Sequence, residues 1–284
     1  MIKAIDVHVH PGTKEDLIDS GGKYLAAAMS YFGKEVKTIT VEELAEKYRS
    51  QDIFGVLVAW DAETNTGLPP VTNDYIASIV KKYPDTFIGF ASVDPWKGKV
   101  AIQELERAAK ELGLRGAKFQ QAAQGFFPND KQFYPLWEKC VELDLPVQFH
   151  VGNTGYGAGV PGGCGIHLKY VRPVPYIDDL AADFPELTII CLHPAWPWQE
   201  EMLAVAMHKG NVYLDLSGWS PKYFPQSLVT YANTFLKDKV MFGSDHPYIS
   251  PERWLQDFDK AGFKPELKDK ILLENAKRAL KLQF

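Results

Sequence analysis

Two histidines spaced i, i+2, His8 and His10, close the apolar segment that opens the chain, in Asp6-Val7-His8-Val9-His10. Successive side chains of a strand point to opposite faces, so this spacing puts both imidazoles on one side. Two neutral imidazoles at one strand end can share a metal ion; taken singly, such a histidine is as often a polar rim residue. The placement recurs along the chain. His150 ends the run Pro146–His150, His193 ends Leu187–His193, and Asp245 follows Lys239–Ser244. Lys118 lies toward the end of Leu114–Gln120. Four of the seven histidines therefore fall at the C-terminal ends of predicted strands, with an aspartate at the last. His167, in a loop, and His208, late in a helical pattern, do not share that position, and His246 directly follows Asp245.

The elements that must carry these groups are short β-branched or aromatic runs alternating with longer amphipathic stretches. Lys3–His8, Ile53–Trp60, Thr86–Val93, Leu114–Gln120, Pro146–His150, Leu187–His193, Val212–Leu216 and Lys239–Ser244 read as strands. Several are nearly continuous apolar runs, as parallel strands buried on both faces require. The helical patterns between them are Val41–Ser50, Thr72–Lys82, Lys99–Glu111, Lys131–Leu143, Val174–Asp183, Pro197–Lys209 and Pro225–Leu236, followed by Pro251–Ala261 and Pro265–Leu280. Eight βα units predict an α/β protein with a parallel sheet closed as a (β/α)8 TIM barrel, a doubly wound sheet being the alternative. No linker or composition shift divides the chain, so residues 1–284 read as a single domain. The Gly-rich stretch Gly152–Gly165 reads as a long loop after the fifth strand. Lys14–Thr40 is an insertion that covers the site or mediates contacts.

Composition bounds the partners. The chain has 284 residues, 46% hydrophobic and 24% charged, with a net charge of −5. That balance argues against nucleic acid or an anionic membrane as a partner. Three scattered cysteines without a CxxC pair suit a reducing cytoplasm. A basic n-region with an apolar h-region is missing at the N-terminus, so no signal peptide is expected. Nor does any apolar run reach the length of a membrane span.

On these residues the sequence resembles the amidohydrolase superfamily, and within it the amidohydrolase-related group that includes aminocarboxymuconate-semialdehyde decarboxylase and several lactone and carbon–carbon bond hydrolases. The segments that carry the likeness are Asp6–His10, Val147–His150, Ile189–Pro194 and Met241–Pro247, with Phe184–Leu187, Asn211–Asp215 and Glu274–Ala276 adding to it. The resemblance implies that His8, His10, His150 and Asp245 ligate one divalent ion, Zn²⁺ by expectation with Mn²⁺ as the alternative. Three imidazoles, a carboxylate and an open position suit a catalytic metal, which lowers the pKa of a bound water toward neutrality. Asp245 would also move the water's proton, and His193 would polarise a substrate carbonyl or brace the site. Some superfamily members carry a carbamylated lysine near the position of Lys118, bridging two metals. The mononuclear arrangement is expected here, with Lys118 facing an anionic substrate.

Trp60, Tyr156, Arg172, Trp196 and Trp219 stand just beyond predicted strands or in the long loop and are the further candidates for substrate binding, beside Trp198 and Tyr170. Several decarboxylases of the group replace the first histidine of the pair with glutamate. Both histidines stand here, which favours hydrolysis: a metal-activated water attacking the carbonyl of a lactone, ester, amide or ketone-activated C–C bond in a small carboxylated or aromatic substrate. The alternative is metal-dependent non-oxidative decarboxylation of an aromatic or unsaturated acid. A metal-free lactonase and a catalytically dead scaffold barrel are the remaining readings. The group also allows a homodimer, though no sequence feature marks an interface.

Overall fold

Each of the eight apolar runs becomes a strand, and their near-continuous hydrophobicity is explained by burial on both faces. In the computed structural model, which describes residues 2–33, 35 and 37–283, the strands are β1 Ala4–Val9, β2 Ile53–Val58, β3 Phe87–Phe90, β4 Ala117–Phe119, β5 Val147–His150, β6 Ile189–Leu192, β7 Val212–Asp215 and β8 Val240–Met241. Every residue of β1 through β6 is buried. β1, β2 and β3 pair in parallel, as do β4 through β8 in order. Two seams join these groups. Ala91 bridges Ala117, with the Lys118 N–H donating to the Ala91 carbonyl at 2.7 Å. Val9 bridges His246 in parallel, and the Val7 N–H donates to the Phe242 carbonyl at 3.1 Å. The sheet is therefore a closed (β/α)8 barrel, which excludes the doubly wound alternative.

Inside the barrel Ile5, Val7, Val56, Val58, Phe90, Ile190, Leu192 and Met241 pack with Ala276, Ala279 and Leu280 of the C-terminal segment. Outside it, Val9, Leu57 and Ala59 pack against helix residues such as Leu44, Tyr48, Ile76 and Trp137. The first strand changes phase between these layers. Asp6 pairs with Gly55 and Val9 with Leu57, so Val7 and His8 together oppose Val56. This one-residue bulge matters for the site. Asp6 faces outward, where its Oδ2 accepts from Tyr48 Oη at 2.8 Å on the helix Val41–Arg49. Strict alternation would send His8 and His10 the same way; the bulge turns both toward the barrel mouth.

The helices follow the sequence reading, with shorter ends. Val41–Arg49 opens with a capping box in which the Glu43 N–H donates to Thr40 Oγ1 at 3.1 Å and the Thr40 N–H to Glu43 Oε2 at 2.7 Å. Two patterns differ. Lys131–Leu143 begins as a tight turn, Lys131–Phe133, before the helix Tyr134–Glu142. Pro265–Leu280 is broken into Pro265–Leu267, Lys270–Glu274 and Asn275–Ala279. The insertion Lys14–Thr40, of which Lys34 and Val36 lie outside the described residues, holds helical segments Glu15–Ser20 and Gly22–Phe32. Its run Leu25-Ala26-Ala27-Ala28-Met29 consists of good helix formers and stops at Gly33, whose φ of 58° ends the helix in the left-handed region.

Candidate active site

At the barrel mouth the C-terminal strand ends bring His8, His10 and Asp245 together, their potential ligand atoms all within 4.8 Å of one another. Asp245 Oδ1 lies 3.4 Å from His8 Nδ1 and 3.6 Å from His10 Nε2, beyond ordinary N–H···O hydrogen bonds. Asp245 is held in the left-handed region, φ 64°, and its N–H donates to the His8 carbonyl at 3.0 Å. A non-glycine residue in that conformation is costly and has to be held by its surroundings. His193 shares the feature, with φ 73°. Its Nε2 lies 3.0 Å from His150 Nδ1, and the other edge of the His150 ring, Nε2, is 3.2 Å from the Asn153 carbonyl. His150 is therefore turned toward His193 and the Asn153 carbonyl, not into the three-donor cluster. Of the four expected ligands the structure gathers three.

Beneath the cluster sit residues that the sequence reading passed over. Ser217 Oγ lies 3.0 Å from His8 Nδ1 and 3.1 Å from His193 Nδ1. Asp215 is fully buried; its Oδ1 accepts from the Ser217 N–H at 2.9 Å, while Oδ2 has no hydrogen-bond partner and stands 3.9 Å from His8 Nδ1. Close packing demands Gly218, since a Cβ at that φ of 73° would lie 2.7 Å from His193 Nδ1 and 3.1 Å from Asp245 Oδ2. The Ser217-Gly218 pair, one residue beyond β7, was the available signal, because a glycine near a strand end marks close approach.

Burial sets the charge states. It drives the pKa of His8 well below the ordinary imidazole value, with the neighbouring Lys118 adding to the effect; in His150 the same burial is reinforced by His193. His193 is lowered too, chiefly by burial. Neutral imidazoles keep lone pairs for a cation. Lys118, 1% exposed, is brought down to about 8 by burial, and its Nζ lies 3.5 Å from His8 Nε2 and 5.0 Å from the centre of the Trp60 ring. Burial pushes Asp215 well above the carboxylate range. A carboxylate and two imidazoles, converging without bonding one another, are a donor set that fits a divalent ion.

The cluster floors a cavity of about 460 Å³. Lys118, Trp60, Tyr156 and Trp219 line it, together with His150 and His193. The insertion covers it: Leu25, Ala28, Met29 and Phe32 of Gly22–Phe32 form an apolar wall, completed by Tyr248 and Ile249. Tyr24 of the same helix stacks on Tyr156 at 4.7 Å. Two expected substrate contacts are corrected. Arg172 points away and makes a forked ion pair with Glu201, its Nε 3.0 Å from Oε2 and its Nη2 2.6 Å from Oε1. Trp196 is 46% exposed and outside the cavity, its ring centre 6.1 Å from that of Trp219, which does line it. Tyr170 packs on Phe127 at 4.6 Å and lies outside the cavity, as does Trp198.

The sequence profile of the amidohydrolase family matches residues 5–282. A gamma-resorcylate decarboxylase of Polaromonas sp. is 24% identical over 330 aligned residues, covering 98% of each chain. Among solved structures, an uncharacterised TIM-barrel protein from Bordetella bronchiseptica superposes with a TM-score of 0.83 at 26% identity over 99% of each chain. A 5-carboxyvanillate decarboxylase from Novosphingobium aromaticivorans, crystallised with manganese and 3-methoxy-4-hydroxy-5-nitrobenzoic acid, matches with a TM-score of 0.70 at 19% identity, over 99% of this chain and 97% of that one. These findings overturn the expectation of hydrolysis drawn from the intact histidine pair: a relative aligned over nearly the whole chain is a decarboxylase. Zinc gains no support over manganese, the ion in the 5-carboxyvanillate enzyme.

Proposed function

This chain belongs to the amidohydrolase family, and from that premise we propose that it is a metal-dependent non-oxidative decarboxylase of a small aromatic or unsaturated carboxylic acid. The observation that carries the reading is the pairing, in one cavity, of a polar floor holding a buried lysine with apolar and aromatic walls. Its decarboxylase relative, aligned over 98% of both chains, supports it. His8, His10 and Asp245 would hold one divalent ion, Zn²⁺ or Mn²⁺, with His150 as the further imidazole on the same rim. When bound, the ion supplies Lewis acidity to a substrate oxygen on which negative charge collects.

The chain's own residues do the rest. Lys118 attracts an anionic substrate to the floor and holds it there. Trp60 beside it, and Leu25, Met29 and Phe32 above, pack against a flat substrate and exclude water, so the carboxylate loses its hydration. The bond between the carboxylate carbon and the substrate breaks, carbon dioxide leaves, and the electron pair stays on the substrate carbon. Asp245 delivers a proton to that carbon and recovers one from solvent at the cavity mouth. The balance is one proton consumed for each carboxylate converted to carbon dioxide and a C–H bond. His193, fixed through Ser217, keeps the floor in register.

The test is carbon dioxide release from a panel of aromatic carboxylic acids, gamma-resorcylate and 5-carboxyvanillate among them. Protein is stripped by chelator and reloaded with Mn²⁺ or Zn²⁺ for the assay. Release that is lost on stripping and restored on reloading is expected. Turnover of lactones or esters by the reloaded protein, with no acid decarboxylated, would contradict the assignment.

A further inference from the structure

Gln120 and Thr154 meet on one wall of the cavity, and their hydrogen bonds can be counted to completion. Both line it and both are nearly buried, 4% and 8% exposed. The Ala123 N–H donates to Gln120 Oε1 at 2.5 Å, and because a backbone N–H only donates, that atom is the amide's acceptor. Nε2 therefore faces Thr154, donating to its Oγ1 at 3.1 Å. The Tyr156 N–H donates to the same Oγ1, also at 3.1 Å. Both lone pairs of the Thr154 hydroxyl are thus taken by groups that only donate. Its own proton has to point elsewhere, and it meets no acceptor among the described residues. The second N–H of Gln120 Nε2 likewise has none there. This wall offers donors and no acceptor.

The pair is held in place from behind. The Gln120 N–H donates to Gln124 Oε1 at 3.0 Å, and Gln124 Nε2 donates to the Asp61 and Val93 carbonyls at 2.7 and 3.0 Å, tying the turn to the loops after β2 and β3. Gln120 is extended, with φ −123° and ψ 90°, and follows Lys118 by two residues. Their side chains therefore leave the same side of the backbone, about 6–7 Å apart along it. Lys118 reaches to the floor beside His8, so the donor pair stands one step nearer the mouth.

We propose that Gln120 and Thr154 are specificity-determining residues that take a second oxygen of the substrate, one that accepts without donating: a carbonyl, an ether, a ring oxyanion or a further carboxylate. The inference deepens the reading of the cavity as the seat of a carboxylic acid and rests on it. An acid bearing only alkyl groups would leave two dry donors unpaired, and a ring amino group would set donor against donor. A site built to bond a substrate group rejects the analogue that lacks it for this reason.

The test is calorimetric binding of matched ligands to Mn²⁺-loaded protein. The ring isomers of acetylbenzoate, whose carbonyl only accepts, are compared with the same isomers of isopropylbenzoate, similar in size but without the oxygen. At least one acetyl isomer is expected to bind about 10-fold more tightly than its isopropyl counterpart, as pairing two buried donors implies. Thr154→Val removes the hydroxyl at constant shape and should lower that ratio several-fold, whereas Thr154→Ser should keep it. Gln120→Glu withdraws both donors at once, because the new carboxylate oxygen accepts the Thr154 proton, and should abolish the preference. A merely structural role would weaken both members of a pair alike and leave the ratio unchanged. Equal binding within every pair by the wild type would overturn the proposal, as would a ratio that survives Thr154→Val and Gln120→Glu, or no detectable binding of any acetylbenzoate. The ratios do not depend on turnover: protein that binds the pairs as expected but releases no carbon dioxide loses the reaction assignment alone.

Discussion

Asp245 and Lys118 carry the proposed chemistry by different means, and substitution separates them. Asp245→Asn keeps the size and the hydrogen-bonding backbone of a residue already locked at φ 64°, so the fold should persist while the amide cannot deliver a proton. Turnover should fall by about 10²–10⁴-fold, the usual worth of general acid–base catalysis; near-wild-type turnover by steady-state assay would remove Asp245 from its role. Lys118→Met keeps an unbranched side chain against Trp60 but removes the amine that meets an anionic substrate. KM should rise by about 10-fold or more, as loss of a charge-assisted hydrogen bond implies, with a smaller change in kcat. Arg172→Ala, which breaks only the ion pair with Glu201, should leave both constants unchanged.

At the scale of elements, the sequence exposed the barrel more fully than the machinery at its mouth. Eight strands were legible because parallel strands buried on both faces have to be continuous apolar runs, as Ile53–Val58 and Ile189–Leu192 are. The cluster of His8, His10 and Asp245 was legible because strand ends of a barrel converge. What aims the first two was not. The bulge at Val7 and His8 is a register event between β1 and β2, invisible in either strand alone. Nor was Ser217 apparent, whose contacts are with residues 209 and 24 positions away. Arg172 and Trp196 looked like site residues by position along the chain; only the ion pair of Arg172 with Glu201 and the exposure of Trp196 set them apart from the cavity lining. The helix Gly22–Phe32 has little polar–apolar contrast to announce it, yet it roofs the cavity. Met29→Trp on that helix should narrow the cavity and lower kcat/KM for bulky acids more than for small ones. Gly218→Ala should cost about 1–3 kcal/mol by denaturant unfolding, from backbone strain and the clash with His193.

For the molecule as a whole, cation binding and folding are linked, since the donors come from the ends of β1 and β8, which the chain brings together only on folding. An ion at about 100 times its dissociation constant stabilises the folded state by about 2.7 kcal/mol. Chelation should therefore lower Tm by about 5 °C, reversibly. Cys140 and Cys191 are buried with their thiols pushed up, whereas Cys164 is partly exposed, so the folded protein should titrate one thiol of its three. No helix among the described residues is long and apolar enough to cross a membrane. The claim that unites these levels is that the cavity breaks a carbon–carbon bond to a carboxylate and puts a proton in its place. The most direct measurement incubates metal-loaded protein in deuterated water with carboxyl-¹³C-labelled aromatic acids and follows gas and organic product together. The account predicts labelled carbon dioxide released in equal amount to deuterium gained at the vacated carbon. Labelled carbon that stays in the organic product, with oxygen from solvent added to it, would contradict it.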